Sequence, residues 1–149
     1  MRDAQKWHRL FMNQAKLMAG MSKDPSTRVG CVLAKGGHQV GAGYNGFPRG
    51  IADNERLQSR DEKYALIIHA EMNAILDAGH RSHGSTLYLY GFSSAPCRNC
   101  VKHVIQAGIK HVVACGPELP GRWVEEVERS RETLLEAGIA LTIIEEKSL

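Results

Sequence analysis

Apolar positions recur at helical spacing over residues 3–20, where Trp7, Leu10, Phe11, Ala15, Met18 and Ala19 form one stripe. The polar run "SKDPST" (22–27) ends it: Asp24 precedes a proline, and Ser26 and Thr27 favour turns. Two short apolar runs, "VGCVLA" (29–34) and "QVGAGY" (39–44), flank Gly36 and Gly37 and predict a β-hairpin. Residues 45–64 lose the apolar pattern, with Gly and Pro at their front. A connection that long in a compact domain is usually functional or mobile. Helical spacing returns from Ala65 to Ala78 and closes at Gly79. "TLYLYG" (86–91), "HVVACG" (111–116) and "ALTIIEE" (140–146) read as strands. Between them lie a helix opened by Pro96 and ended by Gly108, and an amphipathic helix at 123–137 stopped by Gly138.

The predicted order is α-β-β-α-β-α-β-α-β. Each of the last three strands follows its predecessor only through a helix, and helical crossovers favour parallel neighbours wound right-handed. The expected architecture is an α/β fold of three layers, α-β-α, with a five-stranded mixed sheet whose last strands are parallel. Helix starts then lie near strand ends, where open α/β folds bind ligands. With 149 residues the chain is expected to form a single domain, 1–149.

Composition changes this picture little. The net charge of +3 suits an anionic small molecule and is too weak to point to nucleic acid. No apolar run reaches the ~18 residues of a membrane span. "MRDAQKWHRL" lacks an apolar signal core, so a cytoplasmic location is expected. In a reducing compartment, Cys97 and Cys100 read as metal ligands or a redox pair rather than half of a disulfide framework. Cys31 and Cys115 fall in predicted strands and are expected in the core.

The chemistry concentrates at two helix starts. Cys97 and Cys100 have the C-x2-C spacing of a zinc half-site, and a helix N-terminus favours their thiolates. His69 can add a nitrogen from the other helix. Two thiolates and one neutral imidazole neutralise a zinc dication and leave its fourth position open, as in catalytic sites. Glu71 would stand beside that position and move protons. Taken singly, each residue has an ordinary reading. A histidine in an apolar helix is usually a satisfied core residue, and a lone C-x-x-C can be a redox pair. A closed structural site would need Cys31, Cys115, His80, His83 or His103, none of which has ligand spacing to the others. Jointly they are far more specific.

"HAE" (69–71) and "PCRNC" (96–100) fit H-x-E…P-C-x-x-C, the signature of the zinc nucleobase deaminases. "SKDPSTRVGCVL" (22–33), "GYNGFPRGI" (43–51), "KYALIIHAEMNAI" (63–75) and "IQAGIKHVVA" (105–114) narrow the likeness, which covers roughly residues 7–145. Over that span the chain resembles the deoxycytidylate deaminases and their bacterial and phage relatives. The resemblance implies a cytidine-deaminase-like fold, one Zn2+ per chain on His69, Cys97 and Cys100, and hydrolysis of dCMP to dUMP and ammonia. It makes Glu71 the proton shuttle, Ala70 N–H the donor to the pyrimidine carbonyl and Asn45 the partner of the sugar hydroxyl. Lys23 and Arg28 become the candidates for the 5′-phosphate.

Many relatives carry arginine just before "SKDP", where Met21 stands here. Some respond to dCTP and dTTP near their "GYNG" segment. That regulation, and any accompanying Mg2+, is left open by residues 45–51, and a homo-oligomer is the expected assembly. A tRNA-adenosine deaminase of the same fold usually has glutamate before Pro-Cys, where Ala95 stands here. It ranks below the nucleotide enzyme, as does a non-catalytic zinc module, because Glu71 is present.

Overall fold

The structure, a computed structural model, describes residues 3–149. Its elements are α1 (Ala4–Ala19), β1 (Gly30–Lys35), β2 (His38–Tyr44), α2 (Arg60–Leu66), α3 (Ala70–Ala78), β3 (Thr86–Tyr90), α4 (Arg98–Gln106), β4 (His111–Cys115), α5 (Val124–Glu136) and β5 (Ala140–Ile143). The five strands form one sheet in the order β2-β1-β3-β4-β5. β1 runs antiparallel to both β2 and β3, while β3, β4 and β5 are parallel. Among the described residues no helix is long and apolar enough to cross a membrane.

Alternation along the strands splits the core in two. Cys31, Leu33, Leu87, Leu89, Val112 and Ala114 face α3, α4 and α5. Val32, Ala34, Tyr88, Val113 and Cys115 face Phe11, Met12 and Ala15 of α1. Cys31 and Cys115 are fully buried, as expected of strand cysteines.

Three predicted boundaries move, and two of the shifts build the site. The helix expected over Ala65–Ala78 is broken. α3 begins only at Ala70, while α2 starts at Arg60, inside the stretch 45–64 expected to be irregular, which also holds a 3₁₀ turn at Glu55–Gln58. Ile67 leaves helical geometry (φ −69°, ψ 133°), and Ile68 pairs with Gly46 through both backbone groups at 3.1 and 2.8 Å. Adjacent β-branched isoleucines favour that extended step. The helix predicted from Pro96 begins at Arg98, with Cys97 as its N-cap in extended geometry (ψ 164°). The last strand ends at Ile143, and a short 3₁₀ turn at Glu146–Ser148 follows. There Glu146 binds Lys16 Nζ (2.7 Å) and the Tyr90 hydroxyl (2.8 Å), so the tail folds onto α1.

The seat of α3 depends on two glycines. Ala70, Ala74 and Ala78 make a small-residue stripe against Gly41 and Gly43 of β2. A Cβ on Gly43 would lie 2.6 Å from Ala74 N and 2.8 Å from Ala70 O; one on Gly41 would lie 2.6 Å from Ala74 O. These are backbone atoms that cannot move aside without shifting the helix. The same helix covers the free edge of β2: Ala42 N–H donates to Asp77 Oδ2 (2.9 Å), and Asn73 Nδ2 donates to Tyr44 O (2.8 Å). Gly43→Val is therefore expected to cost about 3 kcal/mol or more through overpacking. Urea denaturation measures it; an unchanged midpoint would mean that α3 is not seated by this contact.

Candidate metal centre

α3 and α4 point their N-termini at a common spot. His69 is the N-cap of α3 (φ −70°, ψ 154°) and Cys97 that of α4. Cys100 is the third residue of α4, so the C-x2-C spacing places the cysteines at N-cap and N3. Side chains at those two positions converge over a helix start, as they do in a capping box. His69 Nδ1 lies 3.4 Å from Cys97 Sγ and 3.3 Å from Cys100 Sγ. The three donor atoms all lie within 4.8 Å of one another. A tetrahedral zinc with bonds of ~2.1 Å to nitrogen and ~2.3 Å to sulfur sets N···S at ~3.6 Å. The donor set fits the ion in both spacing and chemistry.

No other group of three such donors gathers among the described residues. Cys31, Cys115, His80, His83 and His103 thus stay outside the cluster as potential fourth ligands.

The electrostatics favour a cation. Cys97 is pushed well down, first by the hydrogen bond from Cys100 and then by His69. Cys100 is pushed up, chiefly by that same shared proton and by burial. His69 is raised, first by its hydrogen bond to Cys97, with Glu71 and Glu126 adding negative potential. Glu71 is 2% exposed, and burial lifts its carboxyl to about 7, against the lowering influence of His69.

Ala70, fully buried, is the first residue of α3, so its N–H has no intrahelical partner and faces off the helix end. Asn45 is joined to His69 through the Gly46–Ile68 bridge. Its side chain is held firmly: Nδ2 donates to Thr27 O (2.8 Å) and Asp24 Oδ2 (3.3 Å), and Oδ1 accepts from Val29 N (2.9 Å).

Lys23 and Arg28 do not join the metal cluster. Lys23 is exposed and pairs with Asp53 at 3.3 Å; Arg28 is exposed on the stretch before β1. Lys23, Asp24, Asn45, Phe47 and Asp53 line a cavity of about 100 Å³. The Arg56 guanidinium lies 5.9 Å from the centre of the Phe47 ring. Sequence reasoning missed Asp24 and Lys63 as organisers of this region. Asp24 had a signal, as an Asp-Pro turn residue; Lys63 opens the stretch "KYALIIHAEMNAI", but its residue type and polar neighbours read as a solvated charge.

The profile of the cytidine and deoxycytidylate deaminase zinc-binding region matches residues 5–116. An uncharacterised deaminase from the luxG 3′ region of Aliivibrio fischeri is 38% identical over 141 residues, covering 92% of each chain. The deoxycytidylate deaminase of Homo sapiens is 40% identical over 119 residues, covering 74% of this chain and 65% of the human protein. Among solved structures, the dCMP deaminase of cyanophage S-TIM5 in its apo form superposes with a TM-score of 0.74 at 23% identity. That match covers 97% of this chain and 100% of the phage chain, and it shows the shared fold.

Proposed function

Because the chain belongs to the cytidine and deoxycytidylate deaminase family and is a zinc-dependent deaminase, we propose that it hydrolyses dCMP to dUMP with release of ammonia. The observation that carries this is the convergence of His69, Cys97 and Cys100 beside a buried Glu71. His69, Cys97 and Cys100 hold the ion. When bound, zinc supplies a Lewis acid that makes water reactive near neutral pH.

The chain's own groups do the rest. Glu71 takes one proton from the attacking water and passes it to ring N3, where it stays. Glu71 then takes the remaining proton of the hydroxyl added at C4 and passes it to the amine, which departs as ammonia while the C4–N bond breaks and the C4 carbonyl forms. Its raised pKa suits a group that must both accept and donate near neutrality. Ala70 N–H donates to the pyrimidine carbonyl. Asn45 uses both amide hydrogens and one lone pair internally, which leaves one lone pair of Oδ1 to accept from the sugar hydroxyl. Lys23 releases Asp53 for the 5′-phosphate, with Arg28 as the second cation. The same proposal takes residues 1–149 as one domain, since two core clusters share one sheet. It includes a cytoplasmic homo-oligomer, with dCTP and dTTP, accompanied by Mg2+, as effectors at 45–51.

A panel of cytosine nucleosides and nucleotides, followed by loss of cytosine absorbance with and without dCTP, tests it. The expected result is turnover of dCMP well ahead of deoxycytidine, a preference that Lys23→Ala narrows. Equal rates on both would remove the phosphate from recognition. No turnover of any cytosine nucleotide by zinc-loaded protein would end the proposal.

A further inference from the structure

Three segments meet on one buried carboxylate. Asp24 is 6% exposed. Its Oδ1 accepts from the backbone N–H of Ser26 (2.8 Å) and of Thr27 (3.3 Å), and its Oδ2 accepts from Asn45 Nδ2 (3.3 Å). Lys63, on α2, brings Nζ to 3.3 Å from Oδ1 and 3.5 Å from Ser26 Oγ, with only 12% of its side chain exposed. Ser22 Oγ donates to Asn45 O (2.9 Å) and accepts from Asp24 N (3.3 Å). Beyond α2 the chain reaches Ile68, whose bridge returns to Gly46, next to Asn45. Lys63 thus closes a ring through Asp24, Asn45, Gly46, Ile68 and α2, one residue short of His69.

The nearby Lys23–Asp53 pair is different in kind. With side chains 71% and 35% exposed, it is solvated and screened. A buried pair strands its partner when one member is removed. Apolar residues of similar volume would often stabilise the fold as well or better, so stability alone does not account for an ion pair here. What the pair adds is direction. Lys63 binds the same Oδ1 that accepts from the loop backbone, and this leaves Oδ2 to the Asn45 amide.

We propose that Lys63 is a positioning residue: by holding Asp24 it fixes the Asn45 amide at the sugar-binding edge of the site and fastens the polar segment 45–64 beside it. The substrate part of this role rests on the dCMP chemistry proposed above; the fastening does not.

The test uses the zinc-loaded full chain, its Lys63→Met and Lys63→Arg variants, and the double variant D24N/K63M. Two readouts apply: steady-state kinetics on dCMP, and backbone hydrogen exchange without nucleotide. Lys63→Met is expected to raise KM by about tenfold or more while kcat stays within about threefold, the pattern of lost binding rather than lost chemistry. Lys63→Arg recovers most of the loss. Exchange over residues 46–58 rises by about tenfold in Lys63→Met while the sheet and α3 keep their protection, as a locally opened unit would.

A wild-type KM with unchanged exchange in Lys63→Met overturns the proposal. So does an equal loss of kcat and thermal stability with KM unmoved. If Lys63→Met does not fold, D24N/K63M, which leaves no buried charge unpaired, carries the same readouts. If the parent protein turns over no cytosine nucleotide, exchange alone decides the fastening, and that failure belongs to the substrate chemistry.

Discussion

Glu71→Gln is expected to yield a folded protein that keeps its zinc and loses at least about a hundredfold in kcat, the lower end of what a positioned proton-transfer group contributes. The amide is nearly isosteric, so the packing around a side chain that is 2% exposed persists. What disappears is the ability to accept a proton. Two protons must reach the substrate, one at ring N3 and one at the departing amine, and among the described residues no other carboxylate is buried beside the three donors. Asp24, the other buried acid, is committed to Lys63, Asn45 and the loop backbone. Turnover in Glu71→Gln is measured beside zinc content and thermal midpoint. Near-normal kcat with zinc in place would take Glu71 out of the mechanism.

Cys100→Ser is expected to abolish turnover and weaken zinc binding by more than about a hundredfold, since even an outer partner of a ligand is worth roughly 10–100-fold. Cys100 is 5% exposed and lies 3.3 Å from His69 Nδ1, so a hydroxyl there offers a poorer donor on a shorter bond with no room to adjust. The parent chain is expected to hold about one zinc, the number of catalytic ions a single open site carries. A chelator that removes it should lower the thermal midpoint, because the ion binds the folded state. Affinity should fall as pH falls. Ligands must shed protons to bind metal, and the Cys100 thiol, with its raised pKa, holds its proton the longer of the two. Metal analysis and thermal melts check both points. A chelator-treated protein that stays fully active, or a Cys100→Ser variant with unaltered zinc content, would dissolve the centre.

Hydrophobic periodicity made most of the elements legible, and with them the mixed sheet with its parallel half. Its errors fell where local pattern competes with distant pairing. Ile67 and Ile68 carry apolar residues at helical spacing, yet Ile68 bridges Gly46 and ends α2. Only the bridge partner reveals the break, because a short apolar run reads equally well as strand or helix. Pro96 looked like the first residue of a helix, but the turn forms one step later, around Cys97. That shift matters chemically: it sets Cys97 and Cys100 at N-cap and N3, the two positions whose side chains meet over the helix end.

Lys63 was illegible for another reason. A lysine in a polar run is normally a solvated charge, and nothing within a few residues marks it as buried. Its partner lies in the loop after α1, and the contact exists only once α2 has folded back across the Asn45 turn. Gly41 and Gly43 were visible as strand residues, but their importance lies in a helix that packs on them from another part of the chain.

The chain's own order of residues determined the chemistry: donor types, their spacing within a single turn, and the carboxylate beside them all follow from backbone geometry over a few positions. Tertiary structure alone decided that the two helix starts share one point in space, that Asn45 is locked and that Lys63 is withdrawn from water. Those outcomes depend on strand order, on backbone approach at Gly43 and on the burial of Asp24. Each is a contact between distant segments, whose free energy no local pattern encodes.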